Sequence, residues 1–226
     1  METMKIILVF GPPGSGKDTQ SQRLSEKLDL PFISTGDLFR REAKKGTDVS
    51  KKIKTTLAHG KLVSTKLVNE VLEHRLREED VQNGFILNGY PREKVQLEHL
   101  KKKIKELREE NKVLVLALNI KVSNEEVKQR LGGRRVCPKC GATYHLKYDP
   151  PKEEEVCDVC GYGLERREDD KPEVIEERLN EFYTRIDPVL TYFKKNDMLI
   201  EINGEQSIEE VEQEIQREVS KEVPDI

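Results

Sequence analysis

The sequence has no long apolar run and little net charge of either sign. No apolar stretch approaches the ~18 residues that a membrane span requires. The apolar part of the opening METMKIILVFG is too short for a secretory leader, and it ends in a glycine loop rather than a small-residue cleavage site. A cytoplasmic setting is therefore expected. Lysine and arginine number 40 against 43 aspartates and glutamates, a formal net charge of −3. That balance argues against a global basic field directed at nucleic acid or an anionic membrane, while leaving room for local basic clusters. His59, His74, His99 and His145 form no spaced cluster, and no nucleophile with a partnered base can be found. The 226 residues suffice for one large domain, or a core with small insertions, that buries roughly 70% of its unfolded surface.

What is present alternates. KIILVF (5–10) is a continuous apolar run ended by glycine, as a buried parallel strand would be. Lys17 to Leu28 reads as a helix, and DLPFIST as a short strand and turn. Residues 36–60 carry two short helical patterns, broken near Gly46 and ended at Gly60. An amphipathic helix is predicted over 65–79, a strand over 85–89, a helix over 93–110, a strand over 112–120 and a helix from Ser123. After a change of pattern from about Gly132 to Asp170, a long helix follows, which Pro188 should kink or divide. MLIEING (198–204) is the last strand, and Ile208, Val211, Ile215 and Val219 mark the closing helix. Such alternation implies an α/β fold, a parallel sheet with helices on both faces.

FGPPGSGKDTQ (10–20) places Gly11, Gly14 and Gly16 between a strand and a helix. Glycines let backbone N–H groups curl inward onto phosphate oxygens, and the helix start adds partial positive charge. Lys17 would reach the terminal phosphates. The strict motif has Ser or Thr directly after the lysine; here Asp18 comes first and Thr19 second. Arginines recur at junctions. In STGDLFRRE, Ser34 or Thr35 is placed to cap a helix starting at Gly36, with Arg40 one turn in. NGYPR puts Arg92 just past a strand's carboxyl end, where open parallel sheets bind ligands. Arg130, Arg134 and Arg135 follow, then Arg166, Arg167 and Arg178. Singly, each could be a solvated surface residue; jointly they suit a multi-phosphate site.

CPKC (137–140) and CDVC (157–160) are separated by 16 residues, with Gly141 and Gly161 after the pairs. This is the spacing of a zinc site, Cys137, Cys140, Cys157 and Cys160 forming a closed, structural thiolate shell. Free thiols or two disulfides are the competing reading, and iron could occupy the same shell.

The motifs GPPGSGKDTQ, ISTGDLFR, GKLV, NGFILNGYPR, GRR and the paired CxxC loop occur in an order and spacing that resemble the adenylate kinases, over essentially the whole chain. The chain is similar to the long-lid, zinc-binding type. The resemblance implies a P-loop core (1–34, 64–133 and 170–226), a helical nucleoside-monophosphate-binding part (35–63) and a β-rich, zinc-ribbon-like lid (134–169). It implies transfer of a phosphoryl group from MgATP to AMP, giving two ADP. ATP would meet Gly11, Gly14, Ser15, Gly16, Lys17, Asp18, Thr19, Arg130, Arg134 and Gln206; AMP would meet Thr35, Gly36, Arg40, Lys61, Leu62, Val63, Gly89, Arg92, Gln96, Arg167 and Arg178. Lys17, Arg92, Arg134, Arg167 and Arg178 would serve the transfer itself, with Asp169 and Asp170 orienting the lid arginines. A monomer is the default expectation.

Two positions depart from the family pattern. Glycine usually follows the loop lysine, where this chain has Asp18; aspartate usually precedes the GFPR-type turn, where it has Asn88. The family's aspartate interacts with Mg²⁺ through water, so one reading is that the carboxylate has moved from position 88 to position 18. In the other, Asp18 faces away, capping the helix or pairing with a nearby lysine or arginine, an acid in the first turn of a helix being favourable in any case. Rival functions are a UMP/CMP or GMP kinase of the same fold, a catalytically weak nucleotide-binding regulator kept open by Asn88, and a zinc-ribbon nucleic-acid module, which the acidic DPPKEEE loop disfavours.

Overall fold

The computed structural model describes residues 3–43, 48–59 and 63–223. Its strands are β1 (Met4–Phe10), β2 (Phe32–Ser34), β3 (Gly84–Asn88), β4 (Val113–Lys121), β5 (Arg134–Val136), β6 (Thr143–His145) and β7 (Leu199–Asn203). Five of them form a parallel sheet in the order β2-β3-β1-β4-β7, while β5 and β6 pair antiparallel in a separate ribbon. Helices α1 (Lys17–Leu28), α2 (Thr35–Glu42), α3 (Asp48–Ala58), α4 (Thr65–Arg75), α5 (Lys94–Glu110), α6 (Asn124–Gly133), α7 (Pro172–Lys195) and α8 (Ile208–Glu222) complete the α/β fold expected from the alternation.

Period-two alternation explains why β1 is apolar throughout. Ile6, Leu8 and Phe10 enter one core beside Ile186, Val189 and Phe193. Ile7 and Val9 enter the other, beside Leu24, Val211 and Ile215. With β3 on one side and β4 on the other, β1 ends at the point where successive connections diverge, the usual ligand crevice of such sheets.

Three local expectations are corrected. Helix α4 stops at Arg75 rather than 79, because the Arg75 guanidinium pairs with Glu78 at 3.3 Å and Asp80 at 2.6 Å, and a 3-10 turn, Glu79–Val81, follows. Helix α2 begins at Thr35, one residue early, with Ser34 as its cap accepting from the Asp37 N–H at 3.3 Å. Pro188 does not divide α7, which runs through it for 24 residues. The proline forfeits one backbone hydrogen bond, but Ile186, Val189 and Phe193 are buried on both sides of it and hold the two halves in one groove.

Between α6 and α7, the β5–β6 ribbon is joined by bridges Val136–Glu165, His145–Asp149 and Val156–Gly163. Its own apolar cluster is small: Cys137, Tyr144 and Cys157, with Ala142, Cys160 and Leu164 against them. The segment ends in a 3-10 turn, Glu168–Asp170, against which α3 lies.

Candidate active site

The loop after β1 is shaped by close approach. A Cβ on Gly11 would stand 2.6 Å from Ser15 Oγ and 2.7 Å from the Ile120 carbonyl oxygen, so only bare backbone passes there. Gly16 precedes α1 with φ 85°, a region that other residues adopt only at a cost. Gly14 packs against Leu131 of α6. The turn is held by Ser15 N–H donating to the Pro12 carbonyl at 3.1 Å, and Lys17 Nζ donates to the same oxygen at 3.2 Å. Ser15 is buried, and its hydroxyl has no partner among the described residues. Burial pushes the Lys17 ammonium down to about 8; Asp18 resists the shift, and Arg92, Arg178 and Arg134 add to it.

A cleft opens beside this loop, lined by Lys17, Arg40, Arg92, Asp169, Arg178 and Phe182 among others. Each arginine is braced. Arg40 reaches Asp37 through Nε at 3.1 Å and Nη2 at 2.5 Å. Arg92 Nε donates to the Gly89 carbonyl at 2.9 Å, and its backbone N–H to Gln96 Oε1 at 2.8 Å. Arg134 grips fully buried Asp170 with both prongs, at 2.8 and 2.5 Å, and Arg178 meets Asp170 at 3.0 Å and Asp169 at 3.2 Å. Burial pushes Arg92 and Arg167 down to about 10, with Arg178 the next contributor for the first and Arg134 for the second. Lys17, Arg40, Arg92, Arg134, Arg167 and Arg178 outnumber the acids around them, Asp18, Asp37, Asp169, Asp170 and Glu181, a place suited to a polyanion.

Asp18 lies inside this cluster. Burial alone would raise its carboxyl, but Lys17 first, then Arg40, Arg167 and Arg134, hold it below the usual carboxylate range. Asn88, buried at the end of β3, donates its amide Nδ2 to Asp18 Oδ1. The other amide atom, Asn88 Oδ1, has no partner among the described residues.

The remaining sequence candidates divide. Thr35 Oγ1 donates to the Gly89 carbonyl at 2.9 Å, Gly36 keeps space for the Arg40 guanidinium, and Val63 and Gln96 are buried. Lys61 and Leu62 lie outside the described residues. Arg130 sits behind the loop, donating to the Gly204 carbonyl at 2.7 Å and held by Glu126 at 2.7 Å. Gln206 is turned to Glu214 and the Asn203 carbonyl, and Thr19 is exposed. Arg135 points to the Arg134 and Gly132 carbonyls, away from the cleft set. Sequence reasoning missed Asp37, which braces Arg40, and Glu181, which lines the cleft. The i, i+3 spacing of Asp37 and Arg40 and the i, i+4 spacing of Glu181 and Arg185 were the available signals.

In the β5–β6 segment the four cysteine sulfurs lie within 4.8 Å of one another. Cys137 and Cys160 are 3.4 Å apart and Cys140 and Cys157 3.5 Å, far longer than a disulfide and close to the ~3.8 Å edge of a tetrahedron of sulfurs around zinc. Each pair closes a matching turn, Gly141 N–H to Cys137 carbonyl at 2.9 Å and Gly161 N–H to Cys157 carbonyl at 2.8 Å. Hydrogen bonding from the Tyr144 hydroxyl lowers the Cys157 thiol, while Cys140 and Cys160 in the same set are raised by burial and by hydrogen bonds to neighbouring cysteines. The donor set therefore fits a structural zinc ion. Among the described residues no helix is long and apolar enough to cross a membrane.

Comparison with known proteins gives one answer. The family model for adenylate kinase matches residues 9–198. The adenylate kinase of Methanocella arvoryzae is 42% identical over 215 residues, covering 95% of this chain and 98% of that protein. That of Archaeoglobus fulgidus is equally similar, 42% over 215 residues with the same coverage, and that of Thermoanaerobacter sp. is 42% identical over 214 residues, 95% of this chain and 97% of that protein. With a phosphate loop, a braced set of arginines and a match along nearly its full length, the chain belongs to the adenylate kinase family.

Proposed function

We propose that this chain reversibly transfers the terminal phosphoryl group of ATP to AMP, giving two ADP. The observation that carries the reading is the convergence of Lys17, Arg40, Arg92, Arg167 and Arg178 at the carboxyl ends of parallel strands. One bound phosphate does not call for so many cations; two nucleotides meeting through their phosphates do. In this reading the backbone N–H groups of Gly11, Gly14, Ser15 and Gly16, with Lys17 and Thr19, hold the ATP phosphates. Arg130 braces the loop from behind, and the backbone near Gln206 meets the adenine. Thr35, Gly36, Arg40, Val63, Gly89, Arg92 and Gln96 take AMP, together with Lys61 and Leu62.

The attacking group is AMP's own phosphate oxygen, so no protein base is required. Its bond to the γ-phosphorus forms as the bond to the departing ADP oxygen breaks. Arg134, Arg167 and Arg178 spread the charge of the phosphoryl group in flight, and the carboxylates of Asp169 and Asp170 fix Arg134 and Arg178 beforehand. The divalent cation carried by ATP supplies the rest of the charge neutralisation. The division into core, monophosphate-binding part (35–63) and lid (134–169), and the structural zinc in Cys137, Cys140, Cys157 and Cys160, belong to the same proposal. By covering the cleft, the lid keeps water from competing as acceptor.

Phosphorus NMR of the purified protein with MgATP, given AMP, CMP, UMP or GMP in separate tubes, tests it. ADP formation with AMP alone is the expected result. Turnover that prefers another monophosphate would reassign the base, and nucleotide binding without turnover in every tube would overturn the catalytic reading.

A further inference from the structure

Asp18 holds a position that phosphate loops ordinarily give to a hydroxyl. In the strict motif the residue after the lysine is the Ser or Thr whose oxygen ligates Mg²⁺. Here that side chain ends in a carboxylate, surrounded by the field of Lys17, Arg40, Arg167 and Arg134. Asp18 stands in the first turn of α1, where an acid is favourable, but that accounts for no contact of its carboxylate: α1 has Gly16 as its cap and no side-chain cap bond, and among the described residues no lysine or arginine makes a direct ion pair with Asp18. Arg40 and Arg134 have Asp37 and Asp170 as their own partners. The direct contact is Asn88, 70 residues away in sequence, whose amide N–H donates to Oδ1.

Asn88 is the second and independent observation. It is 2% exposed, and its Oδ1 finds no donor among the described residues. A buried carbonyl oxygen is ordinarily paired, and an exception asks for an explanation, an ordered water or an ion among them. Asp18 Oδ2 and Asn88 Oδ1 are both acceptors, at the end of β3 beside the phosphate loop. A phosphate has no proton to give them. A divalent cation with its waters does answer them: Mg²⁺ keeps several waters and takes one or two carboxylates along with substrate phosphates.

We propose that Asp18, positioned by the Asn88 amide, supplies the carboxylate for the divalent cation that travels with the nucleotide, and that the unpartnered Asn88 Oδ1 accepts from a water on that cation. The inference rests on the nucleotide-binding reading above. It makes Asp18 and Asn88 a pair in which the charge has been placed on the loop rather than on the strand.

Mn²⁺ is the probe, with β,γ-imido-ATP as the nucleotide and electron paramagnetic resonance reporting the free ion. Asp18→Asn is expected to weaken Mn²⁺ retention by the protein–analogue complex about tenfold or more. Affinity for the metal-free analogue should stay equal or tighten, since a negative charge facing phosphates is gone; this also verifies that the variant is folded. Asp18→Ser, which restores the ordinary hydroxyl, provides a second variant read the same way. Asp18→Gly combined with Asn88→Asp should recover Mn²⁺ affinity to within about threefold of the parent. Unchanged Mn²⁺ affinity in Asp18→Asn, or an Asn88→Asp change that fails to rescue Asp18→Gly, overturns the inference. ADP formation by the unmodified protein is followed in parallel: Asp18-dependent Mn²⁺ binding without ADP would sink the catalytic reading alone, and ADP formation with Asp18-independent Mn²⁺ binding would sink this inference alone.

Discussion

Lys17 carries the clearest prediction at the scale of one residue. Its folded value of about 8 lies below the free lysine value of 10.5, so between those limits the unfolded chain binds more protons. The group therefore adds stability to the nucleotide-free protein as pH rises through that window. Phosphates favour the ammonium, so above about 8 nucleotide binding must take up a proton. The dissociation constant for ATP, measured by calorimetry across pH, should rise about tenfold per unit above the bend. Lys17→Arg, fixed in charge, should flatten the profile. Arg92 offers a second test. Its Nε is committed to the Gly89 carbonyl, and lysine cannot make that contact while also presenting a planar fork. Arg92→Lys should lower kcat/KM for AMP by about two orders of magnitude in steady-state assays. Both residues were legible because the loop and the strand-end arginine are local motifs. The direct Asn88–Asp18 hydrogen bond was not, since partners 70 residues apart leave no periodic trace; the link between positions 18 and 88, and Asp170 as a partner of the lid arginines, came only from the family resemblance.

Among the elements, helix ends separate what a sequence signals from what it delivers. Ser207 and Ser64 both stand before a helix. Ser207 makes a reciprocal capping box with Glu210, whereas the Ser64 side chain makes no cap bond. Ser207→Ala should cost about 1 kcal/mol in denaturant unfolding, and Ser64→Ala no more than about 0.3 kcal/mol; equal losses would contradict the assignment. Strand and helix periods made every element of the sheet readable, and the errors fell where tertiary contact overrode local preference. Arg75 ended α4 early through its acids, and burial of Ile186, Val189 and Phe193 carried α7 across Pro188.

For the molecule as a whole, the β5–β6 segment has too small an apolar cluster to be ordered by burial alone. Zinc, at one per chain by atomic absorption, should supply the difference. Stripping it with a chelator should lower the melting temperature by roughly 5 °C or more and open sites within 134–169 to protease, while cuts in the sheet core stay slow. The cysteine spacing made this segment legible; its attachment was not. Arg134 at its entry grips Asp170 at its exit, a tie across 36 residues, and inside it Cys137 approaches Cys160 across 23. In polymer terms these are two rings, one nested in the other, and each cuts the number of shapes the enclosed chain can take. They answer to different keys. On the proposed reading, a phosphate competing for Arg134 would loosen the outer ring, and loss of a zinc ion would loosen the inner one. If the segment serves as the proposed lid, this tethering would let it swing at its base without unravelling at its tip.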